Sequence, residues 1–223
     1  MSIFDFITSY EDAWKAIIQP PRQEYSLYDL GMISSNDLLT NLGPAEFNIR
    51  NFKIKRTDMR LRNKRGITIE CSFFQHVVAE KPLPCVIFLH ANGCCRLEAL
   101  QYTEIILANK MNLFCFDFSG CGKSEGQYSS IGWNEQDDLE CVINFLLNTN
   151  SVSKIAVWGR SMGAITAMFH SQKDPNISCI VLDSPFADFE RLAKEFAKNK
   201  AYIPGFLTGG ILNILRKTII NKA

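Results

Sequence analysis

Apolar residues come in short bursts along the chain, and their spacing changes character after position 82. Over 3–18, Phe4, Ile7, Trp14, Ile17 and Ile18 fall at near-helical spacing with Asp5, Glu11, Asp12 and Lys15 between them. This predicts an amphipathic helix packed against the domain. Its polar face is not basic, which disfavours peripheral membrane association. Pro20 and Pro21 end it, and 23–44 is polar and irregular, as expected of an extended surface connection. The stretch 47–57 alternates and predicts a strand. A turn follows at 63–66, Asn-Lys-Arg-Gly, and 67–78 predicts a second strand that pairs with the first as a hairpin.

Beyond Pro82 and Pro84 the run 85–89 is continuously apolar, the signature of a strand buried on both faces of a parallel sheet. A helix is predicted over 97–110, a strand over 113–116 and an amphipathic helix over 135–147. Glu135, Asp137 and Asp138 crowd the first turns of that helix, where its dipole favours them. A strand at 155–158, a helix at 161–171 and a strand at 177–182 complete the alternation. The fold class is therefore α/β, a doubly wound, mostly parallel sheet with helices on both faces. The core is expected over 47–190, preceded by the helix and connection of 1–46 and followed by a helical tail over 191–223. In the tail region 189–199 is charged and amphipathic, whereas 201–220 is mostly apolar but broken by Pro204, Gly209, Gly210, Arg216 and Lys217. Part of a cap, or packing on the sheet, fits that pattern better than a membrane span.

Composition adds exclusions. The 223 residues are 47% hydrophobic and 21% charged with a formal net charge of +1, so one ordinary domain is the default and no electrostatic feature points to nucleic acid. The eight cysteines, Cys71, Cys85, Cys94, Cys95, Cys115, Cys121, Cys141 and Cys179, form no CxxC pair with a matching partner. Neither zinc nor any other metal or cofactor is expected. The start, Met-Ser-Ile-Phe-Asp, lacks the basic region and apolar core of a signal peptide. Reduced thiols in a cytoplasmic protein are the resulting expectation.

Three stretches suggest chemistry. The first, 155–164, reads Ile-Ala-Val-Trp-Gly-Arg-Ser-Met-Gly-Ala: a strand, a Gly-x-Ser-x-Gly turn and the start of a helix. Ser161 would sit at the tip of a strained corner, with Gly159 and Gly163 letting strand and helix pass closely. The second, His90-Ala-Asn-Gly93, directly follows a predicted strand. Acyl transfer needs backbone N–H groups aimed at a developing oxyanion; Met162 supplies one candidate and Asn92 the other. The third runs Asp117-Phe-Ser-Gly120-Cys-Gly122-Lys-Ser124-Glu-Gly126. Its Gly-Lys-Ser is not a phosphate loop, because position 117 is Asp where that motif needs Gly.

In this order and spacing the three motifs resemble those of α/β-hydrolase fold serine hydrolases. Within them the chain looks most like the serine aminopeptidase S33-type branch, which includes monoacylglycerol lipase-like and acyl-protein thioesterase-like enzymes. The similarity runs over 47–189, with Ala91 where that branch usually has Gly. The resemblance implies Ser161 as nucleophile, an acid after the next strand and a histidine after the last.

From that pattern the chain departs. The family would supply two further strand–helix units carrying the acid and the histidine, and no histidine follows His170. His170 lies nine positions along the helix from Ser161, roughly 13 Å of rise away. His76 belongs to the early hairpin. His90 arises from the wrong loop for the usual base and is expected to brace its loop through hydrogen bonds. Asp183 and Asp188 are in-chain acids near where a triad acid sits, although the stretch 183–186 also reads simply as a strand end and turn. The expectation is a hydrolase domain truncated at its C-terminal end. It would cleave an ester, thioester or peptide bond of a small acyl or peptide substrate through an acyl-enzyme on Ser161, with little or no turnover as this chain alone. The alternatives are a non-catalytic binding or regulatory protein and a fragment of a longer hydrolase. Without the last strands, an exposed sheet edge open to a partner chain is expected.

Overall fold

A computed structural model describes residue 15, residues 17–31 and 46–188, and Arg191 and Lys217. Most of the expected first helix, most of the connection expected over 23–44, and all but one residue of each of the stretches 189–199 and 201–220 lie outside the described residues. Among the described residues, seven strands form one sheet: β1 (Glu46–Ile49), β2 (Phe52–Arg62), β3 (Thr68–His76), β4 (Leu83–Leu89), β5 (Asn112–Phe116), β6 (Val152–Arg160) and β7 (Ile177–Asp183). Their order is β1-β2-β3-β5-β4-β6-β7. Strands β5, β4, β6 and β7 pair in parallel, and β1, β2 and β3 extend the sheet through antiparallel pairings. The sheet is thus mixed, its parallel half wound with the helices α1 (Thr103–Ala108), α2 (Glu135–Asn148) and α3 (Met162–Ser171).

The continuous apolar runs feed two cores because neighbouring side chains on a strand point to opposite faces. Cys85, Ile87 and Leu89 of β4 pack with Phe114 and Phe116 of β5 against Leu139 and Ile143 of α2 and Met162 and Ala167 of α3. The intervening Val86 and Phe88 pack with Leu113 and Cys115 against Ile106 and Leu107 of α1. Ile17 and Ile18 from the N-terminal segment are buried in the first of these cores.

Two elements depart from the sequence pattern. The single strand expected over 47–57 is broken into β1 and β2 by a turn at Arg50 and Asn51, with Arg50 at φ 50. No glycine marks that turn. The helix expected over 97–110 begins as a 3-10 helix, Arg96–Tyr102, before continuing as α1. A 3-10 helix repeats every three residues. Arg96 and Ala99 are buried at that interval, and Tyr102, next in the series, lays its ring against Phe88 and Trp158.

β7 ends the sheet order, and its Ile180 and Val181 remain 37% and 41% exposed despite the apolar sequence of the strand. No helix among the described residues is long and apolar enough to cross a membrane.

Candidate active site

β6 delivers Ser161 to the carboxyl edge of the parallel strands, and α3 begins at the next residue. Ser161 has φ 50 and ψ −109, a region that side-chain-bearing residues rarely occupy. Holding it there costs on the order of 1–3 kcal/mol. The flanking glycines make the corner possible. A Cβ on Gly159 would fall 2.2 Å from the carbonyl oxygen of Gly163, and one on Gly163 would fall 2.2 Å from that of Leu89. The strained serine is pinned on both sides: its N–H donates to the Asp183 carbonyl at 2.8 Å and its carbonyl accepts the Ile165 N–H at 3.1 Å. As the first residue of α3, Met162 has an N–H with no acceptor inside the helix.

The contact of Gly163 with Leu89 brings the loop after β4 beside this corner. His90 is fully buried there. Its Nε2 accepts the N–H of Phe118 at 3.0 Å, so Nδ1 carries the proton and donates to the Ala91 carbonyl at 2.7 Å. Burial lowers the pKa of this imidazole, favouring the neutral form. The Cys94 N–H also donates to the Ala91 carbonyl, at 3.1 Å. A trans peptide places its C=O and N–H on opposite sides. The Asn92 N–H therefore points away from His90, and no acceptor engages it among the described residues. The Asn92 side chain reaches the other way, donating to the Ile17 carbonyl at 2.8 Å.

The glycine-rich loop after β5 is organised by Asp117. Its Oδ1 accepts the Arg96 N–H at 2.7 Å, and its Oδ2 accepts the Lys123 N–H at 2.8 Å and the Tyr25 hydroxyl at 2.5 Å. Gly122, at φ 47, packs so tightly on this carboxylate that a Cβ would lie 2.4 Å from it. The centre of the loop is thus filled by the protein's own anion. Arg22 closes it from outside, donating to the carbonyls of Gly122 at 3.2 Å, Ser124 at 2.5 Å and Gly126. Burial, reinforced by Asp117, pushes the Tyr25 hydroxyl far above its usual range. Neither Arg22 nor Tyr25 is marked by any sequence motif.

The acids and remaining histidines lie as follows. Asp183 presents its carbonyl to Ser161, while its carboxylate accepts the Ser184 hydroxyl at 2.8 Å and lies 3.9 Å from Arg160 Nε. Asp188 is exposed. His170 is buried far along α3, with Nε2 3.2 Å from Asp174 Oδ2. His76 ends β3 with its ring against Phe52. None of the three histidines is hydrogen-bonded to the Ser161 hydroxyl among the described residues. A cleft of about 300 Å³ opens one turn along α3, lined by Ile131, Trp133, Ile165, Met168, Phe169 and Phe186 among others. All eight cysteines are free, and no cluster of His, Cys, Asp or Glu among the described residues is placed to hold a metal ion.

Sheet order, strained serine corner and adjoining backbone donors define an α/β-hydrolase architecture. The family model for the alpha/beta hydrolase fold matches residues 84–217, and the chain belongs to that family. Among curated proteins it is 31% identical over 118 residues to YqkD of Bacillus subtilis, an alignment covering 52% of this chain and 39% of that protein. It is 26% identical over 151 residues to bem46 of Schizosaccharomyces pombe, covering 66% of this chain and 48% of the relative. The chain spans less than half the length of either. Among solved structures, an esterase of Pyrococcus furiosus, Pf2001, superposes with a TM-score of 0.62 at 22% identity, covering 91% of this chain and 71% of the esterase. A 2,6-dihydroxy-pseudo-oxynicotine hydrolase superposes with a TM-score of 0.56 at 20% identity, covering 74% and 47%. Both show a shared fold.

Proposed function

We propose that this chain carries the nucleophile half of a serine hydrolase acting on an ester, thioester or peptide bond. The reading rests on one observation above the others: Ser161 is held at φ 50 between two glycines that admit no Cβ. Natural chains keep such strain mainly where it serves chemistry. The Ser161 hydroxyl attacks the substrate carbonyl carbon. The new oxyanion is received by the N–H groups of Met162 and Asn92, and the serine is acylated as the leaving group departs. Membership of the alpha/beta hydrolase family and the esterase and hydrolase neighbours support this reaction class; the S33-type branch rests on the motif resemblance alone.

The base is the gap. Both ring nitrogens of His90 are already engaged, so it acts as a brace between the loops after β4 and β5. His170 and His76 serve other contacts. Asp183 and Asp188 are the candidate acids, but an acid without a histidine to orient does little for a serine. Turnover by this chain alone is therefore slow, and the base belongs to a part of the enzyme that these residues do not supply. A partner chain added at β7 would be one source. The second reading, a hydrolase fold used for binding alone, is favoured by that same engagement of His90.

Ester hydrolysis and fluorophosphonate labelling, compared between the wild type and Ser161→Ala, test the proposal. Slow labelling that disappears with Ser161→Ala supports it. Fast, serine-dependent turnover would overturn the missing base, and equal labelling of both proteins would overturn the nucleophile.

A further inference from the structure

Glu98 lies outside the three sequence motifs, yet it touches two of them. Its side chain is only 7% exposed, and both carboxylate oxygens are occupied. Oε2 accepts the N–H of Ala91 at 2.8 Å, and Oε1 pairs with Nη1 of Arg160. Ala91 begins the loop that carries Asn92, and Arg160 is the residue before Ser161. Arg160 is steered from its other side by Asp183, whose carbonyl holds the Ser161 N–H. Tyr102, from the same 3-10 helix, packs its ring 4.5 Å from that of Trp158 in β6.

We propose that Glu98 is a positioning residue for the oxyanion hole, tying the loop that bears the Asn92 N–H to the corner that bears Ser161. This rests on the reading of Ser161 as nucleophile. The peptide planes on both sides of Ala91 are fixed: the N–H by Glu98, the carbonyl by His90 and Cys94. Two fixed planes leave the Asn92 N–H a single direction. Removing the carboxylate releases the first plane and leaves a part-buried N–H without its acceptor. The Arg160 arm matters less for stability, because its guanidinium is 44% exposed and such pairs are screened by solvent. Its contribution is geometric, joining the two loops through one side chain.

The test compares the full chain with Glu98→Gln and Glu98→Ala, using two readouts and a thermal midpoint to confirm folding. Amide exchange of the free protein reads the clamp directly. Protection of the Ala91 N–H is expected to fall at least about 10-fold in Glu98→Ala relative to Phe88 in β4, and to persist in Glu98→Gln, whose amide oxygen still accepts. The fluorophosphonate labelling rate at Ser161 is expected to fall about 10- to 100-fold in Glu98→Ala, short of the 10²–10³ lost with a whole oxyanion donor. Glu98→Gln should restore most of it. Unchanged Ala91 exchange in Glu98→Ala overturns the clamp. Raised exchange with undiminished labelling overturns its bearing on the oxyanion. Failure of the wild type to label any faster than Ser161→Ala instead overturns the nucleophile reading, and the catalytic role of Glu98 with it.

Discussion

The main-chain N–H of Ser161 donates to the carbonyl oxygen of Asp183 at 2.8 Å, so the end of β7 anchors the residue that begins the turn into α3. The bond continues the parallel register of β6 and β7, which pairs Arg160 with Asp183, one residue past the last paired position. Ser161 thereby keeps a sheet-like N–H bond while its φ of 50 turns the chain into the helix. Strain and anchor belong together, because without the bond the corner would relax toward negative φ.

Relief of that strain is measurable. Ser161→Gly should raise stability by about 1 kcal/mol, since glycine occupies positive φ freely. Ser161→Ala, which keeps the Cβ and therefore the strain, should change stability little. Urea denaturation of the three proteins checks this, with labelling lost in both variants.

The glycines on either side are expected to be intolerant for a different reason. A Cβ at Gly159 or Gly163 meets main-chain atoms at 2.2 Å, and backbone cannot step aside as a flexible side chain does. Gly159→Ala and Gly163→Ala should each destabilise by about 3 kcal/mol or more, at or beyond the upper end of ordinary overpacking. Gly66→Ala is the control. Its φ is 78 but its nearest neighbour is the Arg62 guanidinium at 3.4 Å, so only the backbone term of about 1 kcal/mol applies. Denaturation midpoints should rank the three accordingly.

Why some of this was legible in the sequence and some was not follows from how far each interaction reaches. The Gly-x-Ser-x-Gly corner is spelled out in five consecutive residues, even though Gly163 also answers to the Leu89 carbonyl on the neighbouring strand. The buried runs at β4, β5 and β6 were equally plain, because strands covered on both faces are apolar at successive positions. The turn at Arg50 was hidden, since a non-glycine residue holds the positive φ there. Glu98 looked like any charged residue on a helix, because its two partners are set by sheet order rather than by spacing. Arg22 and Tyr25 lie about a hundred residues from the loop they close, and only the structure brings them together.

Arg22 offers a test of that long-range closure. Arg22→Ala removes donors from three carbonyls of the 122–126 loop. The arginine is exposed, so water replaces part of what is lost and the cost should be only about 1–2 kcal/mol. The clearer effect should be local. Hydrogen exchange at the amides of 25–31 should quicken several-fold, while β4 and β5 amides keep their protection. Uniform loosening of the whole sheet would show that the segment is part of the global folding unit instead.

Buried titratable groups predict the response to pH. Burial lowers the pKa of His76, His90 and His170 below the ordinary 6.5, and His90 is the most enclosed of the three. In the window between the lowered native value and 6.5 the unfolded chain binds more protons, so stability rises with pH. Their contribution is complete above 6.5 and is lost as pH falls through the lowered native values. A histidine that stayed neutral in the native state would lose about 1 kcal/mol at pH 6, and His90, whose Nε2 accepts the Phe118 N–H, lies nearest that limit of the three. Asp138 opposes this. Burial pushes its carboxyl up from 3.8 to about 6, despite bonds from Asn63 and from the N–H and hydroxyl of Ser119. Here the native state binds more protons, and its contribution is lost as pH rises from about 4 through about 6. Urea denaturation between pH 5.5 and 7.5 should therefore show stability rising toward neutrality. The rise should steepen in Asp138→Asn, which removes the opposing titration but is less stable overall because the amide accepts fewer hydrogen bonds. A wild-type profile that falls across this window would mean that Asp138, not the histidines, dominates.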